Sequence, residues 1–174
     1  MRVLVSDTSI LIDLERADLL RAAFSVDAEF VVPDLLYERE LRGSGEGDLL
    51  ALGLRVESLD ESEVESAQAY RRGHPRLALP DTFALTLAKN RRWLLLTGDG
   101  PLRALAAAEQ VECHGVLWLI DLMHTERVVE AAILRAGLEQ LARHPRCRLP
   151  RAEIDVRLVR LGEAPTGDGD NSNS

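Results

Sequence analysis

Residues 93–97, WLLLT, place four large apolar side chains in a row between two arginines and the turn sequence Gly98-Asp99-Gly100. Such a run has no polar face. Water must be excluded from both sides, which predicts a strand in the interior of a parallel sheet with helices above and below it. The run is much too short to cross a bilayer. A second run, RVLVS at 2–6, stops at Asp7. Residues 29–32 (EFVV, closed by Pro33), 54–57 (LRVE) and 111–114 supply three shorter candidates.

The segments between these runs carry helical spacing. Residues 8–24 place Ile10, Leu11, Leu14, Leu19, Leu20 and Ala23 on one stripe, which predicts one helix. Residues 34–42 (DLLYERELR) predict a helix opened by Pro33-Asp34 and stopped by Gly43. Residues 59–72 predict a polar helix, with Ser58 and Glu61 spaced as a capping box. A further helix opens at Pro80-Asp81 and runs to about Asn90. Pro101 starts the next, at a position where a missing N–H costs nothing, and residues 115–124 form another. Strand and helix alternate throughout, so the expected fold is a three-layer α/β/α domain with a mainly parallel central sheet.

After about residue 124 the pattern changes. Residues 126–161 read as two helices separated by HPRCRLP, the first with an apolar stripe from Val128 to Leu141 and the second with Ile154, Val156, Leu158 and Val159. The expected organisation is an α/β domain over 1–124, a C-terminal helical appendage over 125–162 packed on the same domain, and a disordered tail over 163–174, which lacks the apolar side chains that could offset the entropy of ordering. The chain has 174 residues and is 46% hydrophobic, enough for one self-supporting core. The N-terminus reaches a polar cluster after five residues, too soon for a secretory signal, and Cys113 and Cys147 make no disulfide framework. Both features predict a cytoplasmic protein.

The formal net charge of −8 excludes a basic-stripe nucleic-acid binder. It does not exclude an enzyme that meets phosphate through divalent cations, because such an enzyme must concentrate negative charge locally. Lys89 is the only lysine, and the arginines are spread along the whole chain. The four histidines show no paired spacing, and the glycine loop at 43–48 lacks the Lys-Ser/Thr ending of a phosphate-cradling loop. Trp93 and Trp118 lie in apolar elements and are expected in the core.

Four carboxylates stand out by position: Asp7, Glu38, Asp81 and Asp99. Asp7 follows the first strand and Asp99 follows the 93–97 strand by two residues. In open parallel sheets, ligands bind outside the carboxyl ends of the strands, so these two can converge. Asp81 opens the helix that feeds the second of those strands, and Glu38 lies one turn into the helix after strand two. Each aspartate is equally readable as a helix cap. Glu40 competes with Glu38: Glu38 falls between Leu35 and Leu41 on a helical wheel, Glu40 near Leu36 and Tyr37, and the wheel does not decide. Like charges about 4 Å apart repel by roughly 1 kcal/mol in water and roughly 4 kcal/mol at an effective dielectric of 20, so four gathered acids imply a cation. Oxygen donors suit Mg²⁺ or Mn²⁺.

The ordered set DTSILIDL, PDLLYEREL, LPDTFALTLA and LLLTGDGPLR resembles the PIN-domain family of metal-dependent ribonucleases, most closely the toxins of bacterial toxin–antitoxin pairs, over about residues 2–120. The resemblance implies an acidic catalytic and metal-binding cluster at Asp7, Glu38, Asp81 and Asp99, with Thr97 as the hydroxyl residue before the last acid. It also implies Mg²⁺ or Mn²⁺ as cofactor, RNA as substrate, an antitoxin as partner, and a homodimer. Thr8, Ser9 and Thr97 are candidates for orienting the acids or a phosphate. Two other readings stay open. A haloacid-dehalogenase-like phosphohydrolase would also use an acid after strand one and a late Gly-Asp-Gly, but this chain has Ser9 where a second acid belongs and only Lys89 as a catalytic lysine. The other is a PIN-like binding module without catalysis.

Overall fold

The computed structural model describes residues 1–44 and 48–162. The tail predicted at 163–174 and residues 45–47 of the glycine loop lie outside the described residues. The sheet has five strands, β1 (Arg2–Ser6), β2 (Ala28–Pro33), β3 (Arg55–Glu57), β4 (Leu94–Leu96) and β5 (Cys113–His114), all parallel and in the order β3-β2-β1-β4-β5. Register is set by the two-residue alternation of the strands. Leu4, Phe30, Val32 and Leu96 point to one face, and Val5, Val31 and Leu95 to the other, each set nearly or fully buried. A slip of one residue would exchange the two faces.

Each face is covered by helices. On the first lie α1 (Thr8–Arg16), α2 (Leu20–Ala23), α3 (Asp34–Leu36) with its continuation Tyr37–Leu41, and α4 (Leu49–Leu52). On the second lie α6 (Leu79–Arg91), backed by α5 (Glu61–Gly73), and α7 (Gly100–Ala108). The C-terminal helices α8 (Val116–Thr125), α9 (Ala131–Arg143) and α10 (Arg151–Gly162) return to the first face. Leu134, Leu138, Leu141, Ile154 and Leu161 join the same buried cluster as Leu4 and Leu11. A fork-to-fork pair from Arg157 Nε and Nη2 to Asp121, at 2.9 and 2.8 Å, ties α10 to α8. The parallel sheet between helical layers is the architecture expected from the sequence. Among the described residues, no helix is long and apolar enough to cross a membrane.

Four local expectations need correction. The single helix at 8–24 is two, α1 and α2, separated by an elbow in which Asp18 adopts φ 55°. Aspartate tolerates this left-handed conformation because its short polar side chain can bond locally. The capping box of the 59–72 helix is Asp60 with Glu63, not Ser58 with Glu61. Asp60 Oδ1 accepts from Glu63 N–H at 2.8 Å, and Glu63 Oε2 accepts from Asp60 N–H at 2.9 Å. The short helix α4 lies where the sequence pattern predicts none. Finally, the helix predicted at 34–42 changes winding midway. Residues Tyr37–Leu41 form a π-helical turn, closed by Arg42 N–H donating to Tyr37 C=O at 2.8 Å. This winding brings residues five apart onto one side, and it is Leu36 and Leu41, five apart, that are buried.

Trp93 is half-buried at the entry to β4, with the guanidinium groups of Arg55 and Arg91 at 5.5 and 5.4 Å from its ring centroid. Trp118 is also half-buried and stacks on His114 at 4.3 Å.

Candidate functional site

The strand order reverses direction between β1 and β4: β2 and β3 lie on one side of β1, while β4 and β5 lie on the other. At such a switch point the connections leave in opposite directions and open a crevice at the carboxyl ends. Asp7 stands at the end of β1, where its N–H donates to Leu96 C=O of β4 at 3.0 Å. Thr97 and Asp99 follow β4. Helices in this layered fold run antiparallel to the strands, so the N-termini of α1, α6 and α7 gather at the same edge, and Asp81 with them.

The carboxylates at this edge are also helix caps. Asp7 Oδ1 accepts from Ile10 N–H at 3.2 Å, Asp81 Oδ2 from Ala78 N–H at 3.2 Å, and Asp99 Oδ2 from Leu102 N–H at 2.9 Å. Capping and site residence are therefore compatible, since each cap engages a single oxygen. Asp7 is held further: the Ser9 hydroxyl donates to Oδ1 at 2.7 Å and the Thr97 hydroxyl donates to Oδ2. Thr97 Oγ1 in turn accepts from Asp99 N–H at 3.0 Å, and Ser9 Oγ accepts from Gly98 N–H at 3.1 Å. Two hydroxyls thus fix the end of β1 to the turn after β4. Oδ1 of Asp81 and Oδ1 of Asp99 have no hydrogen-bond partner among the described residues.

The second glutamate position resolves into two different environments. Glu38 pairs with Arg42 at 2.7 Å on the solvent side, with its side chain 54% exposed. Glu40 accepts from the Thr8 hydroxyl at 2.7 Å, on the first residue of α1 beside Asp7. Its charge raises the pKa of Asp81, as do the charges of Asp7 and Asp99. The structure therefore brings Asp7, Asp99 and Glu40 within electrostatic reach of Asp81, and sets Glu38 apart. Of the three candidate hydroxyls, Ser9 and Thr97 bond Asp7, whereas Thr8 holds Glu40.

Burial is the main cause that raises Asp7 and Asp81, with neighbouring carboxylates adding to it. Asp81 is pushed up to about 6, and Asp7 is raised against the opposing bonds from Ser9, Thr97 and Ile10. Among the described residues, no three His, Cys, Asp or Glu side chains converge tightly enough to hold an ion as the chain stands. The donors nonetheless suit a hard divalent cation: all are oxygens, several carry uncompensated charge, and their mutual repulsion is what a cation would relieve.

The sign of the resulting pH effect is fixed. A carboxyl whose pKa is higher folded than unfolded binds its proton more tightly in the native state, so it favours folding at low pH and loses that contribution as pH rises. In chelator-treated protein, the Asp81 contribution should fall away between about pH 4 and 6. The expected outcome is that Asp81→Asn flattens this part of the Tm–pH profile and leaves the metal-free chain more stable than wild type at neutral pH. An unchanged profile would show that neither burial nor the neighbouring charges raise Asp81.

No curated protein matches the chain. Residues 3–163 match the family model described as DUF3368, PIN domain. The match takes in the acidic edge, the π-helical turn and the C-terminal helices α8, α9 and α10, and by it the chain belongs to the PIN-domain family of nuclease-type domains.

Proposed function

We propose that this protein is a Mg²⁺- or Mn²⁺-dependent endoribonuclease that hydrolyses RNA phosphodiester bonds, of the kind that serves as the toxin of a toxin–antitoxin pair. The observation that carries the reading is the meeting of Asp7, Asp81, Asp99 and Glu40 at the β1/β4 switch point. Asp7 and Asp99 would be the central metal-holding residues, with Asp81 and Glu40 completing the set. A bound ion in such sites activates the attacking water and neutralises charge on the leaving oxygen. The chain's own contribution is positional. Ser9 and Thr97 hold the Asp7 carboxylate in one orientation, Thr97 links it to the Asp99 backbone, and Thr8 holds Glu40 toward the cluster. An antitoxin would act by covering this edge, and a second copy of the chain would complete a homodimer.

The phosphohydrolase alternative needs a lysine at the acids. Lys89 is eight residues from Asp81 along α6, about 12 Å at 1.5 Å per residue. There it is engaged by Tyr70, at 3.0 Å, and by Glu109. Nothing in this geometry brings it to Asp7. A module without catalysis would not need to keep four acids at one edge against their repulsion.

The test is cleavage of a mixed RNA pool with Mn²⁺ and with EDTA, alongside thermal unfolding in both. Wild type should cut only with the metal and be stabilised by it. Glu40→Gln should lower cleavage by about 10–100-fold, the usual consequence of disturbing a metal site's supporting groups. Glu38→Gln should leave cleavage near wild type, since it removes only an exposed ion pair of about 0–1 kcal/mol. Metal-independent cleavage, or a reversed order of the two glutamates, would reject this assignment.

A further inference from the structure

A groove of about 260 Å³ runs beside the acidic edge. One wall is α1 and the turn after β4, presenting Ser9, Asp99 and Arg16, the last paired with Asp13 of the same wall at 3.7 Å; the other is the loop between α9 and α10, presenting Arg146 and Arg148. The loop alternates. Cys147 and Leu149 are half-buried against the main core, while Arg146 and Arg148 between them are exposed. A turn bonded from Cys147 N–H to His144 C=O at 3.0 Å, and from Arg146 N–H to His144 Nδ1 at 3.1 Å, fixes where the alternation begins. Neither arginine is paired with a carboxylate among the described residues, although most arginines near them are: Arg143 and Arg135 meet Glu139, Arg151 meets Asp155, and Arg157 meets Asp121. Other arginines, Arg71 and Arg72 among them, also form no ion pair among the described residues; what marks Arg146 and Arg148 is their place across a groove from Asp99, because guanidinium is the side chain best matched to phosphate oxygens.

We propose that the 144–149 loop is the phosphate-binding wall of the nuclease groove, with Arg146 and Arg148 holding the backbone of a single-stranded RNA next to the bond presented to Asp99. The inference rests on the ribonuclease reading and deepens it. It also gives the C-terminal helical pair a purpose, since α9 and α10 are the two anchors that carry the loop to the site. RNA fits the groove better than an acidic peptide, because a phosphodiester chain lying in it uses both features, the acids for reaction and the arginines for grip. A peptide carboxylate uses only the second. Phosphate contacts carry no base information, so these arginines set affinity and register and leave sequence preference unchanged.

The experiment compares Arg146→Gln/Arg148→Gln with a charge-matched control, Arg71→Gln/Arg72→Gln on α5 in the opposite layer. Binding of a short fluorescein-labelled single-stranded RNA is followed by anisotropy over a salt series, in an Asp7→Asn background that does not cleave. The loop variant should bind at least about tenfold more weakly. Its slope of log affinity against log salt should be shallower by about 1.4, the value for two lost phosphate contacts at about 0.7 each. The control should match the parent in both. In otherwise wild-type protein, the loop variant should raise KM while keeping the single-turnover rate at saturating RNA, and its stabilisation by Mn²⁺ should be intact. Equal binding and slope in the loop variant would overturn this inference and leave the ribonuclease reading standing. A wild-type chain that neither binds nor cuts RNA would overturn both. If an oligoglutamate of matched charge binds as tightly as RNA, and loses as much in the loop variant, the wall is one for an acidic peptide and the RNA assignment fails.

Discussion

Asp99→Asn is expected to abolish RNA cleavage while leaving the metal-free protein at least as stable as wild type, and Asp7→Asn should behave alike. The two effects separate because the carboxylate has two duties. As a cap, Asp99 accepts from Leu102 N–H, and asparagine is about as good a cap as aspartate. The helix should therefore keep its start. As a charge, Asp99 contributes to the repulsion that raises Asp7 and Asp81, and asparagine removes that contribution. The catalytic loss should reach at least about 10²–10³-fold in kcat, the scale measured when one preorganised charge-stabilising group is deleted. Wild type at a hundredfold excess of Mn²⁺ over its Kd should gain about 2.7 kcal/mol, or roughly 5–10 °C in Tm for a chain of this length. The asparagine variants should gain much less. If either variant cuts at the wild-type rate after removal of contaminating nuclease, that acid is not in the site.

The largest stability effect is expected at Gly137, in the middle of α9. A methyl group added there would lie 2.7 Å from Ala17 C=O and 2.8 and 2.9 Å from two carbons of Leu19. The contact is with the elbow between α1 and α2, a backbone feature that cannot rotate away. Two effects oppose. Alanine in a helix interior is favoured over glycine by up to about 1 kcal/mol, whereas overpacking a close contact costs about 1–3 kcal/mol. The nearest atom is a backbone oxygen, so the second should win. Gly137→Ala should lower Tm by several degrees, and Gly137→Val by more, since a β-branched side chain adds bulk at the same point. Because α9 leads into the 144–149 loop, the same variants should weaken RNA binding. A Gly137→Ala protein as stable as wild type would mean that α9 can slide over the elbow.

The sheet and three of the four acids that lie at its carboxyl edge are legible in the sequence because their signals are local. An apolar run that stops at an acid marks both a buried strand and the residue at its carboxyl end, and the runs at 2–6 and 93–97 are neighbours in the sheet. The choice between Glu38 and Glu40 is not legible. A helical wheel assumes uniform α winding, and Tyr37–Leu41 does not have it. The break at 17–19 is hidden for a related reason: the apolar spacing from Ile10 to Ala23 continues across an elbow that the left-handed Asp18 creates. Ser58 and Asp60 offer the same three-residue spacing to a glutamate, so spacing alone does not place the cap of α5. The groove arginines are invisible in a chain where arginine occurs everywhere. What distinguishes Arg146 and Arg148 is that they face the groove beside Asp99 with no carboxylate partner among the described residues, and only the folded chain shows that juxtaposition.

The widened turn after α3 also bears on how sequences of this kind can diverge. A π-helical turn holds one surplus residue between two fixed points, here Leu36 and Leu41. Loss of that residue would restore ordinary winding without disturbing the strand before it. Single-residue length changes among related chains can therefore be absorbed beside the acids instead of in the loop that follows. A glutamate aligned by its distance from the preceding strand would then be matched to the wrong partner, and the reliable marker is the hydroxyl on the neighbouring helix that holds it.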